Sequence, residues 1–332
     1  MKAWQLEAPG PLDSRPLKLV DRPVPDPGRA EIRIRVGACG VCRTDLHLIE
    51  GDLSPRRRGI VPGHQVVGTV DAVGPGATRF TTGDRAGIAW LRHTCGRCRF
   101  CVRGFENLCV NARFTGWDED GGYAEYALVA EDFAYPMPAE FDDEHCAPLL
   151  CAGIIGYRAL RRSELPQGGR LGIYGFGGSA HIALQVAVHE GATVHVMTRS
   201  GRARQLARDL GAATATDASV RPPEPLDAAI LFAPAGSLVP VALGHLDNGA
   251  TLAVGGIHLS DIPPLSYKRH LFGERKLVSV TANTRADGRE LLELASRIPI
   301  QVSTTPLPLA KAGDALQALA SGNVRGAAVL LT

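Results

Sequence analysis

The chain of 332 residues has little net charge, no long apolar run and no repetitive segment. Its formal net charge of +2 gives no reason to expect nucleic acid or an anionic membrane surface as a partner. No stretch of about 18 apolar residues occurs, and residues 1–5 do not begin an apolar signal segment, so no membrane association is expected. We therefore expect a cytoplasmic protein, and its 45% of hydrophobic residues is ample for a core.

The length favours two domains, because a single core rarely grows beyond about 250–300 residues. Up to about residue 147, short apolar runs alternate with polar residues between glycines and prolines, which is typical of a mostly β domain. From about residue 148, predicted strands alternate with predicted helices, beginning with a strand at 170–174 and a helix at 179–190. Such repeated units predict a parallel sheet covered on both faces. The final helix is expected at 287–296, followed by strands.

The eight cysteines could form a disulfide framework, but such frameworks are typical of small secreted chains. Four of them follow the pattern Cys-x2-Cys-x2-Cys-x7-Cys, namely Cys95, Cys98, Cys101 and Cys109. Four thiols so close in sequence, with no open position, indicate a structural zinc site, and a redox or disulfide cluster is the less favoured interpretation. Cys39 and Cys146 are left over and are expected to be small buried core residues.

A second group of candidate ligands comprises Cys42, His64 and Cys151. Two thiolates and one imidazole leave the fourth position of a zinc ion open, which is typical of a zinc that polarises a substrate oxygen. Each residue alone would more often be a buried thiol or a hydrogen-bonded structural histidine. Their occurrence together, with the four-cysteine loop between the second and the third, favours the metal site.

The segment 175–180, Gly-Phe-Gly-Gly-Ser-Ala, lies between a predicted strand and a predicted helix. Gly175 permits a tight turn, Gly177 lets the backbone approach a pyrophosphate, and the helix that follows Gly178 offers free N–H groups to phosphates. The carboxylate that holds the ribose in NAD sites, about 20 residues further on, is missing here. Thr198 and Arg199 occupy that place, and Arg199 can pair with a 2′-phosphate. The residues therefore favour NADP over NAD, the alternative being a merely solvated Arg199.

Together these motifs resemble the zinc-dependent medium-chain alcohol dehydrogenases over essentially the whole chain. The resemblance implies a GroES-like, β-rich catalytic domain at 1–147 and 285–332, and a Rossmann dinucleotide-binding domain inserted at 148–284. It implies two Zn²⁺ ions per subunit, NADP or NAD as the cofactor, and a small alcohol or aldehyde as the substrate. A homo-oligomer, either dimer or tetramer, is also expected.

The resemblance further implies roles for individual residues. Thr44 would hydrogen-bond the alcohol oxygen, His47 would stand at the far end of a proton relay, and Asp45 would orient the ligand histidine. Arg43 and Arg285 would contact the pyrophosphate of the cofactor.

Two tryptophans and one glutamine bear on the substrate site by the same resemblance. Trp90 and Trp117 lie in stretches that reach the substrate cleft, where two indoles would favour primary alcohols, although both could equally fill the core. Gln65 departs from the family pattern, which has Glu after the ligand histidine and for which a role in zinc exchange has been proposed. We still expect zinc to bind, because all three direct ligands are present.

The sequence thus predicts an NAD(P)-dependent, zinc-dependent alcohol dehydrogenase. A polyol dehydrogenase of the same superfamily is the nearest enzymatic alternative, and a zinc-free quinone or enoyl reductase is less favoured because it would not need the three-residue ligand set. A catalytically silent NAD(P)-binding zinc protein is the alternative from another class. Gln65 favours it, whereas Thr44 and His47 argue against it, because binding alone needs neither.

Overall fold

The computed structural model describes all 332 residues, Met1–Thr332. The chain divides into two compact units, each described here by itself. The first unit comprises Met1–Cys151, Ala282–Arg297 and Val302–Thr332, and the second comprises Ala152–Thr281 and Ile298–Gln301. The sequence predicted these divisions at 147/148 and 284/285, whereas the structure has them at 151/152 and 281/282. Cys151 therefore belongs to the first unit, with the other cysteines.

The secondary structure consists of short strands in both units and of helices concentrated after residue 151. In chain order the strands are β1 (Lys2–Leu6), β2 (Leu17–Asp21), β3 (Glu31–Val41), β4 (Val66–Val73), β5 (Arg85–Ile88), β6 (Leu91–His93), β7 (Arg113–Phe114), β8 (Tyr126–Ala130), β9 (Ala134–Pro136), β10 (Arg170–Tyr174), β11 (Thr193–Met197), β12 (Thr214–Thr216), β13 (Leu226–Leu231), β14 (Leu246–Val254), β15 (Lys276–Ser279), β16 (Thr304–Pro308) and β17 (Ala327–Leu331). The helices are α1 (Arg43–Glu50), α2 (Arg99–Val102), α3 (Asp143–Cys146), α4 (Ala152–Arg162), α5 (Gly178–His189), α6 (Gly201–Asp209), α7 (Leu238–His245), α8 (Arg285–Ala295) and α9 (Ala312–Ala320).

The first unit is built on a seven-stranded sheet with the order β16-β17-β3-β4-β5-β9, and β8 also pairs with β3. Strand β3 shows why these residues form a half-buried sheet, because Ile32, Ile34 and Val36 are buried while the residues between them are more exposed. All neighbouring strands of this sheet are antiparallel except β16 and β17. The mostly β character that the sequence predicted is therefore confirmed.

The second unit contains a six-stranded sheet in the order β12-β11-β10-β13-β14-β15, and all its pairs are parallel. Numbered within the unit, this order is 3-2-1-4-5-6, the order of doubly wound dinucleotide-binding sheets. Strands β10 and β13 are almost entirely buried, as expected for parallel strands covered on both faces. The predicted doubly wound sheet is confirmed.

The prediction that the helix at 287–296 is the last one is wrong. That helix is α8, which begins two residues earlier because Thr284 and Asp287 form a reciprocal capping box. A further helix, α9, follows it, and Ala312, Ala315 and Leu316 form its buried face. Its small alanines gave a weak apolar period, which explains why the sequence did not reveal it. None of the helices is both long enough and apolar enough to cross a membrane.

Candidate active site and metal centres

The three residues of the open cluster, Cys42, His64 and Cys151, come together in the first unit from distant parts of the chain. Their ligand atoms lie within 4.8 Å of one another, and Cys42 Sγ is 3.2 Å from His64 Nε2. Cys42 stands directly between β3 and α1, His64 lies just before β4, and Cys151 immediately precedes α4. Two thiols and an imidazole are the donor set that zinc prefers, so the residues present fit this metal.

A carboxylate fixes the orientation of the His64 ring. Asp45 Oδ1 is 3.2 Å from His64 Nδ1, which directs Nε2 towards the sulfur of Cys42. The other oxygen, Asp45 Oδ2, accepts hydrogen bonds from the backbone N–H of Cys42 at 2.9 Å and from the hydroxyl of Tyr123 at 3.2 Å. His64, Asp45 and Tyr123 are all buried. A carboxylate on the far nitrogen of a histidine is the usual device that orients a metal-binding imidazole.

The titration of these groups is strongly coupled. A hydrogen bond from the Cys151 thiol, followed by the influence of His64, holds the pKa of Cys42 well below its usual range. The same hydrogen bond, together with burial, raises the pKa of Cys151. Burial alone would lower the pKa of His64, but the charges of Cys42 and Asp45 raise it well above its usual value. Buried anionic ligands of this kind are stabilised by a bound divalent cation.

Glycines on either side of the cluster allow its close packing. Gly63 has φ +94°, and a Cβ there would lie 2.4 Å from the ring of Tyr123, so only glycine fits before His64. A Cβ on Gly40 would lie 2.5 Å from Oε1 of Gln65. The side chain of Gln65 therefore packs directly over the backbone of Gly40, and it is buried.

The four-cysteine cluster lies in a single loop of the first unit, formed by Cys95, Cys98, Cys101 and Cys109. The four Sγ atoms lie within 4.8 Å of one another, with Cys98 to Cys101 and Cys95 to Cys109 at 3.5 Å. Backbone N–H groups donate to the sulfurs, among them Cys98 N–H to Cys95 Sγ and Cys95 N–H to Cys109 Sγ, both at 3.3 Å. Such bonds favour thiolate, and those from the N–H groups that follow Cys98, with that of Cys101 foremost, lower the pKa of Cys98 to about 6.

Helix α1 holds the predicted relay residues one turn apart. Thr44 is buried in the first turn, where its N–H donates to Cys42 Sγ at 3.4 Å, and His47 follows three residues later on the same side. His47 Nδ1 lies 2.9 Å from Oδ2 of Asp52, a partner that the sequence did not reveal. Arg43 begins the helix and is exposed.

The glycine-rich segment of the second unit joins β10 to α5 as predicted. Gly175 has φ +86°, and a Cβ there would lie 2.7 Å from the backbone nitrogen of Ala233. Gly177 precedes the helix, and a Cβ on it would meet nothing within 4 Å, so its backbone is open to a ligand. Gly178 is the first helical residue, which leaves the N–H groups of the first turn available to an anion.

Thr198 and Arg199 follow the end of β11, the neighbour of β10 in the same sheet. The N–H of Thr198 donates to the carbonyl of Thr216 at 2.8 Å, and the side chain of Arg199 is exposed. Arg204, which the sequence did not single out, donates to the carbonyl oxygens of Thr198 at 2.9 Å and Arg199 at 3.1 Å. Two guanidinium groups therefore stand at the carboxyl end of this strand.

Comparison with known proteins gives the family. Residues 28–139 match the alcohol dehydrogenase GroES-like domain. The whole chain is 58% identical to 97% of the probable alcohol dehydrogenase AdhA of Mycobacterium tuberculosis (strain CDC 1551 / Oshkosh). The chain belongs to the medium-chain alcohol dehydrogenase family. The predicted family, and with it the combination of a GroES-like domain and a Rossmann domain, is confirmed.

Other members extend the similarity to the fold as a whole. The dehydrogenase is 35% identical, over 95% of its length, to 94% of an alcohol dehydrogenase of Geobacillus stearothermophilus. A solved structure of a cobalt- and zinc-bound thermostable alcohol dehydrogenase from Pyrobaculum aerophilum matches it with a TM-score of 0.89 at 26% identity, covering 100% of this chain and 99% of that one. The dehydrogenase is therefore an oxidoreductase of a family that interconverts alcohols and carbonyl compounds with a nicotinamide cofactor.

The structure places Trp90 beside the open cluster of the dehydrogenase and Trp117 beside Trp90. The ring of Trp90 contacts the ring of His64 edge to face, with centroids 4.9 Å apart. Trp117 is nearly parallel to Trp90, with centroids 5.9 Å apart and an angle of 10° between the planes. Both indoles also stack with Phe114, so three aromatic rings form one wall next to a candidate metal ligand.

Arg285 contacts the four-cysteine loop through Glu106. Its guanidinium and backbone N–H donate to the Glu106 carboxylate at 2.7–3.1 Å, and the guanidinium also lies 4.5 Å from the centre of the Phe133 ring. Arg285 is the first residue of α8, so this ion pair connects α8 with the loop. The sequence could not reveal the pair, because the two residues are 179 positions apart.

Proposed function

We propose that the open cluster binds the catalytic zinc of an NAD(P)-dependent alcohol dehydrogenase. The observation that carries the proposal is the donor set itself, in which two thiols and a carboxylate-oriented imidazole converge within 4.8 Å. A zinc ion supplies, when bound by Cys42, His64 and Cys151, a Lewis acid that favours loss of the alcohol proton near neutral pH. The family membership and the cobalt- and zinc-bound relative support this choice of metal.

Residues of α1 would then transfer the proton of the substrate hydroxyl. The hydroxyl of Thr44, close to Cys42 in the first turn, would accept the proton of the substrate hydroxyl and pass its own onward. His47 would receive a proton further along the relay, with Asp52 holding its Nδ1 in place. Asp45 would keep His64 Nδ1–H engaged, so that Nε2 remains a donor to the metal. Arg43, exposed at the start of the same helix, would contact the cofactor phosphates.

We assign a structural zinc to the four-cysteine cluster, which brings the total to two per subunit. Four sulfurs complete a tetrahedral site and leave no position for substrate. The N–H groups that donate to these sulfurs support thiolates there whether or not the open cluster is loaded. The first unit would thus be the catalytic domain and the second unit the dinucleotide-binding domain.

The strand ends of the second unit favour NADP over NAD. Gly175, Gly177 and Gly178 would take the pyrophosphate, and Thr198 and Arg199 would face the adenosine ribose. Arg204 supports this preference because its guanidinium lies against the carbonyls of both residues. A 2′-phosphate there would meet two positive charges, whereas the ribose of NAD would lack its usual carboxylate partner.

The aromatic wall of Trp90, Phe114 and Trp117 favours primary alcohols and aldehydes over bulky secondary alcohols as substrates. Trp90 contacts a candidate metal ligand directly, so any substrate whose oxygen reaches the metal would lie near this indole.

Strand β15, which pairs only with β14 and forms one edge of the second sheet, supports the expectation of a homo-oligomer.

Metal analysis combined with a spectrophotometric assay tests the function. The protein, purified with zinc present, is expected to contain two zinc ions per chain and to reduce NADP faster than NAD, measured at 340 nm with ethanol, benzyl alcohol and 2-propanol. Reduction should disappear in Cys42→Ser. Two zinc ions without turnover of any alcohol or aldehyde would contradict the catalytic assignment, and changing Gln65 to Glu would then test whether that residue is responsible.

A further inference from the structure

Trp117 lies in a half-buried turn and has a defined ring plane. The turn contains Gly116 at φ +76°, and two contacts with the segment 54–56 hold the indole. Trp117 Nε1 donates to the carbonyl of Ser54 at 2.8 Å, which fixes the edge of the ring. The guanidinium of Arg56 lies 4.0 Å from the centre of the ring, which fixes its face. Both contacts come from one short loop that leads to His64.

The position of Arg56 is itself fixed by Asp118. Arg56 Nη1 donates to Asp118 Oδ1 at 2.9 Å, while Asp118 Oδ2 accepts the backbone N–H of Phe114 at 2.8 Å. The Asp118 side chain is only 10% exposed, so this carboxylate is a rigid part of the turn. A cation held by a rigid anion over an indole is well placed for a cation–π contact, because little freedom remains to be lost.

These contacts form a continuous row that leads away from the open cluster. His64 contacts Trp90, Trp90 is parallel to Trp117, and Trp117 carries the guanidinium of Arg56. Arg58, two residues further along the same loop, carries the same charge but has no such ring contact. The difference between the two arginines is therefore their relation to the indole rather than their charge.

We propose that Arg56 is a positioning residue that holds Trp117 parallel to Trp90 and thereby gives the substrate cleft a preference for flat, aromatic primary alcohols. The inference rests on the proposed function, since it takes the two indoles as a wall of the cleft. A flat substrate ring would lie against Trp90, which Trp117 supports from behind in a plane that differs by 10°. Without the guanidinium, Trp117 could tilt, and the wall would accept thicker substrates equally well.

Matched substrates and matched variants test the proposal. Benzyl alcohol and cyclohexylmethanol have the same carbon skeleton size and the same primary hydroxyl, but only the first is flat. In Arg56→Ala the ratio of their kcat/KM values is expected to fall about three- to fivefold, mainly through a higher KM for benzyl alcohol, because a weakened stack costs binding rather than chemistry. Arg56→Lys should restore part of the ratio. Arg58→Ala, which removes the same charge from the same loop, should leave it unchanged.

Far-ultraviolet circular dichroism, in the region of the strong indole bands, tests the geometry without any turnover. Two indoles 5.9 Å apart couple as excitons in these bands, and the resulting couplet, whose strength depends on their relative orientation, should change in Arg56→Ala and persist in Arg58→Ala. An unchanged couplet in Arg56→Ala overturns the proposal, and so does a substrate ratio within twofold of the wild type, or an equal change in Arg58→Ala. A wild-type protein that turns over no alcohol overturns the proposed function instead, and the couplet then still decides whether Arg56 positions Trp117.

Discussion

The open cluster and the four-cysteine cluster use the same chemistry but are assembled in different ways. The open cluster takes its ligands from residues 42, 64 and 151, and a carboxylate and a tyrosine hydroxyl orient them from behind. The four-cysteine cluster takes all its ligands from residues 95–109, and backbone N–H groups of the same loop hold the sulfurs. The first is therefore a product of tertiary structure, whereas the second is largely local.

This difference predicts whether metal binding at each cluster stabilises the fold or contributes to the reaction. At the four-cysteine cluster the ligands and the N–H groups that hold them belong to one loop, so metal binding there would contribute to the folding of that loop. At the open cluster the fold already holds the ligands, as the buried contacts of Asp45 with His64 and Tyr123 show. Metal binding at the open cluster can instead contribute to binding and activating the substrate. Preorganisation, and not the number of cysteines, therefore distinguishes the two clusters.

Removing one ligand from each cluster should give the largest contrast. Cys42→Ser is expected to lower kcat/KM by at least about 10³-fold, since several kcal/mol of charge stabilisation depend on the metal, with little change in thermal unfolding. Cys98→Ser is expected to lower the midpoint of thermal unfolding by more than about 5 °C and to keep most of its activity well below that temperature. Calorimetry and steady-state kinetics measure both. If folded Cys98→Ser were as inactive as Cys42→Ser, the two clusters would not have separate roles.

A chelator should remove the metal from the two clusters at different rates. The open cluster offers an exchangeable position, so a chelator should remove its metal at least about tenfold faster than the metal enclosed by four sulfurs. Zinc release followed with a coloured indicator is expected to show two phases of equal amplitude. Activity should be lost with the first phase and thermal stability with the second. A single phase in which activity and stability fall together would contradict the distinction.

The sequence predicted the local cluster more fully than the open one, and for a physical reason. The spacing of Cys95 to Cys109 already contains that site, and the glycines at 175–178 contain the turn that the structure shows. The contacts of Asp45 with Tyr123 and of Glu106 with Arg285 join residues 78 and 179 positions apart, so no local pattern carries them. Asp52 lies only five residues from His47, so the sequence does carry this contact as a local pairing of an acidic residue with a histidine.

A smaller change at the open cluster tests its preorganisation. Asp45→Asn keeps the shape of the side chain but removes the charge behind His64, and should weaken zinc binding there about 10–100-fold. Tyr123→Phe removes only one hydrogen bond to the same carboxylate and should weaken binding less, by about tenfold or below. Competition with a chelator of known affinity measures both, with the four-cysteine cluster as an internal control. Equal losses at both clusters would indicate general destabilisation rather than a loss of orientation.

The ion pair of Glu106 with Arg285 connects the four-cysteine loop with α8. Its removal should give the smallest effect, a loss of stability that depends on pH. Burial raises the pKa of Glu106, but the hydrogen bonds and charge of Arg285 outweigh it and lower the pKa below its usual value. The ionised carboxylate therefore stabilises the fold at pH values above the unfolded pKa of about 4.3. This contribution is lost as the pH falls through the lower, folded pKa.

Glu106→Gln should accordingly lower the free energy of unfolding by about 1–3 kcal/mol at pH 7, measured by urea denaturation, because it leaves the guanidinium of Arg285 without its charged partner. The difference from the wild type should shrink as the pH falls below the unfolded pKa of about 4.3 and vanish below the lower, folded pKa, where the wild-type carboxyl is also neutral. Activity per bound catalytic zinc at saturating cofactor should stay unchanged, since neither Glu106 nor Arg285 contacts the open cluster. A loss of activity without a loss of stability would mean that the link serves the open cluster, and that the two clusters are coupled rather than independent.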